Sequence, residues 1–83
     1  IDNEYITVSL LISVRSIILG TNIGNLYQVN FKDDDFKNKI ETKLVDHNLN
    51  RVHSTYITKL FKVSDNSFIS LDSNNVLIIW NIN

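Results

Sequence analysis

The chain repeats itself at a spacing of 51 residues, and this feature constrains its fold most strongly. Sliding the sequence by 51 positions puts Ile6 on Ile57, and similar residues coincide through three predicted strands and two turns. The other matches are Leu10 with Phe61, Ser13 with Ser64, Ser16 with Ser67, Ile18 with Ile69, Leu26 with Leu77, Val29 with Trp80, Asn30 with Asn81 and Phe31 with Ile82. Such self-similarity predicts two copies of one structural unit in the 83 residues.

The units are predicted to consist of β-strands. The chain has no alanine and no proline, and its apolar positions are mostly β-branched, which disfavours helix. Period-two alternation and clusters of turn formers indicate seven strands, at about 5–12, 17–21, 25–31, 39–45, 56–63, 68–71 and 76–82. For the fourth run a helix remains an alternative, because Ile40 and Leu44 also have helical spacing.

The only two glycines, Gly20 and Gly24, bracket a predicted hairpin turn. Glycine is expected there because it adopts positive φ without steric cost. Their counterparts in the second unit are Leu71 and Asn75. Asparagine is the other residue that best tolerates left-handed backbone, so we expect Asn75 to replace glycine in the second turn.

Charge and composition exclude several classes of protein. A net charge of −1 gives no electrostatic case for a polyanion as the main partner. The longest apolar run, from Val76 to Trp80, has five residues, far fewer than a membrane span needs. The sequence contains no cysteine, so there is no disulfide framework. We therefore expect an intracellular protein of the cytoplasm or the nucleus.

A four-stranded antiparallel unit of this length that cannot cover its own faces is typical of a β-propeller blade. Residues 1–45 form the first predicted blade, and residues 46–83 form a second that lacks its fourth strand. The predicted fold is therefore all-β, with antiparallel four-stranded blades that belong to a larger ring. The chain would be a C-terminal excerpt of that ring or an arbitrary cut from it.

Several segments resemble a known family. In the second unit these are His53 to Ile57, Leu60-Phe61, Ser64 to Asn66, Phe68 to Ser70 and Val76 to Ile82, and the first unit ends in a worn copy, Gly20 to Phe31. The pattern resembles the WD-repeat family of β-propellers and extends over essentially the whole chain. Two departures are that Trp80-Asn81 replaces the family's Trp-Asp pair and that no glycine precedes His53.

The resemblance implies a buried hydrogen-bond chain in each blade, from a Trp through a strand hydroxyl and a loop His to a turn Asp. The corresponding residues would be Trp80, Ser70 and His53, with Asn74 in the place of the Asp. In the first unit the same positions hold Leu19, Ile23 and Val29, which predict apolar packing instead.

No residue pattern indicates catalysis or a cofactor. His47 and His53 lack the spacing of a metal site, and Ser54 beside His53, with Asp46 nearby, has no supporting nucleophile elbow. Three consecutive aspartates at 33–35 lack the spaced oxygens of a calcium loop. We therefore expect a protein that is not an enzyme and that needs no metal and no cofactor.

The predicted function is a non-catalytic scaffold for protein-protein interaction. Its partners would be the remaining blades and the other subunits of a multiprotein complex. Family analogy places partner contacts on one loop-bearing face, at Asn22, His47, Asn48, Arg51 and Asn74. The alternative is a nucleic-acid-binding propeller in a ribonucleoprotein or DNA-associated complex that uses Arg51 and the lysines.

Overall fold

The computed structural model of the chain describes residues 3–31, 40–44 and 53–82. The elements are β1 (Ile6–Ser13), β2 (Ser16–Thr21), β3 (Leu26–Phe31), β4 (Ile40–Leu44), β5 (Ile57–Ser64), β6 (Ser67–Asp72) and β7 (Leu77–Asn81). The all-β prediction is confirmed for these residues, because every element among them is a strand. They accordingly include no helix long and apolar enough to cross a membrane.

The strands form two antiparallel sheets of sequential neighbours. The N-terminal sheet has the order β1-β2-β3-β4 and the C-terminal sheet the order β5-β6-β7. All seven predicted strands are present, with ends within one residue of the prediction. The helical alternative for the fourth run is wrong, because Ile40–Leu44 pairs along its whole length with β3.

The two sheets have the same strand register under the 51-residue shift. Leu10 pairs with Ile18 in the N-terminal sheet, and Phe61 pairs with Ile69 in the C-terminal sheet. Both first hairpins contain two register shifts at matching positions, between 6 and 8 and between 11 and 13 in one, and between 57 and 59 and between 62 and 64 in the other. The repeat therefore extends to the details of the backbone.

The hydrophobic core lies between the two sheets. They stack head to tail, which means that the two faces in contact are not equivalent under the 51-residue shift. Ile18 and Leu26, both 0% exposed, belong to the same buried cluster as Phe68 of the C-terminal sheet. In the C-terminal sheet, the counterpart of Leu26 is Leu77, which is 54% exposed. The stack therefore covers a face of the N-terminal sheet whose equivalent stays open on the C-terminal sheet.

Both glycines lie where the second unit contacts the first. Gly24 has φ +93, as expected for its turn, and a Cβ there would run into the His53 backbone. Gly20 lies within β2 and is not among the positive-φ residues, so that part of the turn prediction is wrong. An added Cβ at Gly20 would lie 2.8 Å from the Cβ of Ile57, and this close packing explains the glycine. Asn75 has φ 66, which confirms its left-handed conformation.

Candidate functional site

Strand alternation brings four polar side chains together on the inner face of the C-terminal sheet. Ser70 and Asp72 are two residues apart in β6, so they lie on one face. Trp80 of β7 pairs with Phe68 and stacks on its ring, with 6.1 Å between the ring centroids. His53, just before β5, is buried beside them.

The four side chains form one continuous hydrogen-bond chain. Trp80 Nε1–H donates to Ser70 Oγ at 2.9 Å, and an indole nitrogen can only donate. Ser70 Oγ lies 2.7 Å from His53 Nε2, and His53 Nδ1 lies 2.7 Å from Asp72 Oδ2. Every group is satisfied when Ser70 donates to Nε2 and the Nδ1–H donates to the carboxylate, an assignment that follows from the network.

The last member of the chain is Asp72, so the prediction of Asn74 at this position is wrong. Asn74 lies two residues beyond β6 and its side chain is exposed. It contributes its backbone N–H, which donates to Asp72 Oδ1 at 2.8 Å. The same oxygen accepts from the Val76 N–H at 3.0 Å, so the carboxylate also closes the turn.

The surroundings of Asp72 favour its charged form. Burial by itself raises the pKa of this carboxyl, but hydrogen bonds from the Val76 N–H, His53 and the Asn74 N–H outweigh that effect. The net result is a pKa below the ordinary value of 3.8. Among the described residues, no buried side-chain nitrogen or oxygen lacks a hydrogen-bond partner.

The arrangement has the connectivity of a Ser-His-Asp triad but lacks access to substrate. Ser70 is 0% exposed and its oxygen already accepts the Trp80 N–H. A nucleophile must reach the atom that it attacks, and this hydroxyl cannot. Within the described part of the chain, no three acidic, histidine or cysteine side chains form a group that could hold a metal. The chain of bonds therefore holds the sheet and the segment before β5 together.

His53 also joins the two sheets through its backbone. Its N–H donates to the carbonyl oxygen of Gly24 at 3.1 Å. Nearby, Thr7 Oγ donates to the carbonyl oxygen of Ile57 at 2.6 Å, again between sheets. His53 is thus fixed at three points, two by its side chain and one by its backbone.

Two of the predicted partner-binding residues lie at the same end of the stack. Asn22 is in the β2–β3 turn and Asn74 in the equivalent β6–β7 turn. The Asn22 side chain bonds the N–H of Tyr5 at 2.7 Å and the carbonyl oxygen of Asn3 at 2.9 Å, so it also stabilises the first turn. His47, Asn48 and Arg51 lie outside the described residues, as does the predicted boundary between residues 45 and 46.

Sequence reasoning missed two exposed tyrosines at this end. Tyr5 is 62% and Tyr56 48% exposed, and their carbonyl oxygens accept from the turn N–H groups of Asn22 and Ser73. Both line a groove of about 360 Å³ between β1 and β5, together with Thr7, Ile57 and Thr58. The identical tripeptide Tyr-Ile-Thr at 5–7 and 56–58 was the sequence signal that could have identified them.

In the first unit, apolar packing was expected at the three positions that correspond to Ser70, Asn74 and Trp80. These positions are only partly shielded from solvent. Leu19 and Val29 are half-buried, whereas Ile23 is exposed in the turn. Thr21, the counterpart of Asp72, is buried and its hydroxyl accepts from the Asn25 N–H at 3.1 Å.

Comparisons with known proteins add no relative. No family model matches the chain, and searches of curated proteins and of solved structures gave no match either.

Proposed function

We propose that the chain is a two-blade part of a WD-repeat β-propeller that binds other proteins and has no chemistry of its own. The observation that carries this proposal is the hydrogen-bond chain from Trp80 to Asp72, which passes through the loop residue His53. In the WD-repeat family such a chain would fix the connection between consecutive blades. Two sheets of equal register, stacked head to tail, agree with consecutive blades.

The binding surface is the end of the stack that carries the β2–β3 and β6–β7 turns. His53 is held at this same end by its N–H bond to the carbonyl oxygen of Gly24. Tyr5 and Tyr56 add exposed aromatic area beside the turns. Tyrosine and arginine are the side chains that most often dominate protein-protein affinity. We therefore add both tyrosines to the five predicted contact residues.

Partner binding by the full chain tests this proposal. The double variant His47→Ala/Arg51→Ala and the single variant Tyr56→Ala should each weaken binding of a copurifying protein by about tenfold or more. Val14→Ala is the matched control, because Val14 is 84% exposed in the β1–β2 turn, at the other end of β1. Unchanged binding in all three variants would rule out the assigned face.

The same preparation distinguishes the alternative. If the full chain binds nucleic acid with an affinity that falls steeply as salt increases, the nucleic-acid hypothesis replaces the scaffold. Protein binding that varies little with salt and needs Tyr56 supports the scaffold.

A further inference from the structure

The open face of the C-terminal sheet can be compared directly with a face whose partner is visible. On the N-terminal sheet, the face formed by Val8, Ile18, Gly20 and Leu26 is covered by the second unit. The equivalent positions on the C-terminal sheet are Lys59, Ile69, Leu71 and Leu77. Leu77 and its neighbour Ile79 are 54% and 65% exposed, so this face is open, and its named positions are apolar apart from Lys59.

The covered face depends on a glycine that the open face lacks. At Gly20, an added Cβ would lie 2.8 Å from Ile57 Cβ and 2.9 Å from Ile57 Cγ2. Real Cβ atoms essentially never approach so closely, and interiors this dense do not absorb additional atoms. The open face has Leu71 at the equivalent position, with a whole side chain in place of a hydrogen.

A second copy of this chain therefore cannot cover the open face in the way that the second unit covers the first. Such a copy would bring Ile6, the counterpart of Ile57, against Leu71. Two branched aliphatic side chains would then occupy the space that one fills in the observed interface. Overpacking of this kind should weaken association by about tenfold or more.

We infer that the open face of the C-terminal sheet accepts a neighbouring sheet of the same kind whose residue at the position of Ile57 is glycine. In the observed interface the N-terminal sheet has the small residue, Gly20, and the second unit has the large one, Ile57. At the open face the sheet has the large residue, Leu71, so its neighbour is expected to have the small one. This inference rests on the proposed function, since it takes the two units as consecutive members of an array. It gives the neighbour a recognisable sequence feature and predicts that self-association through this face is weak.

A second steric contact, at the position equivalent to Gly24, has to be removed before the contact between Leu71 and Ile6 can be tested by itself. A Cβ at Gly24 would run into the backbone of His53, and the open face has Asn75 at that position. Asn75→Gly removes this obstacle and suits a φ of 66. All proteins in the experiment therefore carry Asn75→Gly as a common background.

The experiment uses the chain itself as the probe and measures association by sedimentation velocity over a range of concentrations. Ile6→Gly in the background should associate at least about tenfold more tightly than the background alone, because it removes the overpacked side chain. Leu71→Gly in the background should tighten association to a similar extent, because it removes the other side chain of the overpacked contact. The protein with both changes should associate more weakly than Ile6→Gly, because a cavity replaces the contact.

Folding is checked independently for each protein. Ile6 is 56% exposed, so its replacement leaves the core intact, and circular dichroism together with Trp80 fluorescence verifies this. Val14→Gly in the background is the matched control, an equivalent loss of an aliphatic side chain away from both faces, and should not change association.

The outcomes separate this inference from the proposed function. If the background associates as tightly as Ile6→Gly, size matching at Leu71 is wrong, while head-to-tail stacking stands. If no protein associates at any concentration, the open face accepts no unit of this kind and the inference fails, whereas the proposed binding function is decided by the Tyr56→Ala experiment. Binding at the loop-bearing end is measured separately, with Tyr56→Ala.

Discussion

The N-terminal and C-terminal sheets have the same strand register but different residues at three equivalent positions: Leu19, Thr21 and Val29 in one, and Ser70, Asp72 and Trp80 in the other. Both sheets have the same bulges and the same turn hydrogen bonds. For example, Asn22 N–H to Tyr5 O measures 3.0 Å, and Ser73 N–H to Tyr56 O measures 3.1 Å. The polar residues are therefore not needed to set strand register. Alternation and turn chemistry set it, and the hydrogen-bond chain adds a fixed connection to His53.

The largest expected contrast is between the two left-handed turn residues. Gly24→Ala places a Cβ against the His53 backbone at φ +93, and backbone cannot move aside cheaply. It should lower the free energy of unfolding by about 4 kcal/mol or more. Asn75→Ala, at φ 66, should cost only about 1 kcal/mol, because no second sheet covers that turn. Urea titrations followed by Trp80 fluorescence measure both, and equal losses would contradict the head-to-tail junction.

Next in size is the contrast between covered and open faces. Leu26→Ala removes a side chain that is 0% exposed in the core and should cost about 2 to 5 kcal/mol. Leu77→Ala, at the equivalent position, should cost about 1 kcal/mol or less, because its side chain is half in water. Thermal unfolding of the two variants compares them directly. A large loss at Leu77 would mean that its face is covered, as it would be in a self-associated chain.

Breaking the hydrogen-bond chain should have a smaller effect. Ser70→Ala removes the hydroxyl that accepts from the Trp80 indole N–H and lies 2.7 Å from His53 Nε2, at a cost of about 2 kcal/mol. Ser73→Ala is the control, because it breaks only the partly exposed bond to Thr55 Oγ and should cost about 0.5 kcal/mol. Denaturant midpoints distinguish the two. Similar losses of unfolding free energy in both variants would mean that the hydrogen-bond chain stabilises the protein no more than a surface hydrogen bond does.

The smallest effect expected is a dependence on pH at Asp72, whose counterpart in the N-terminal sheet, Thr21, carries no carboxylate. The folded pKa of Asp72 lies below 3.8, so its stabilisation is complete above that pH and is lost as pH falls through the folded value. Asp72→Asn should cost about 1 kcal/mol at neutral pH, and the difference from the wild type should shrink below pH 3.8. Unfolding titrations from neutral to acid pH test this, and a constant difference would exclude a charged Asp72.

Strand positions could be predicted because alternation, β-branching and turn formers are local properties. The same alternation could have identified Asp72, which lies two residues from Ser70 on the inner face, whereas Asn74 lies beyond the strand. The role of Gly20 could not be predicted in this way. It depends on Ile57, which is distant in sequence and becomes a neighbour only once the sheets stack. The apolar replacements in the first unit follow directly from the 51-residue shift.

The hydrogen-bond chain also restricts how a repeat of this kind can diverge. Starting from Ser70, Asp72 and Trp80, replacement of Ser70 by leucine or of Asp72 by threonine alone removes a hydrogen-bond partner of the buried His53. The substitutions are therefore strongly epistatic, and the set is inherited or lost as a block. The first unit differs at all three positions, which agrees with replacement of the whole set.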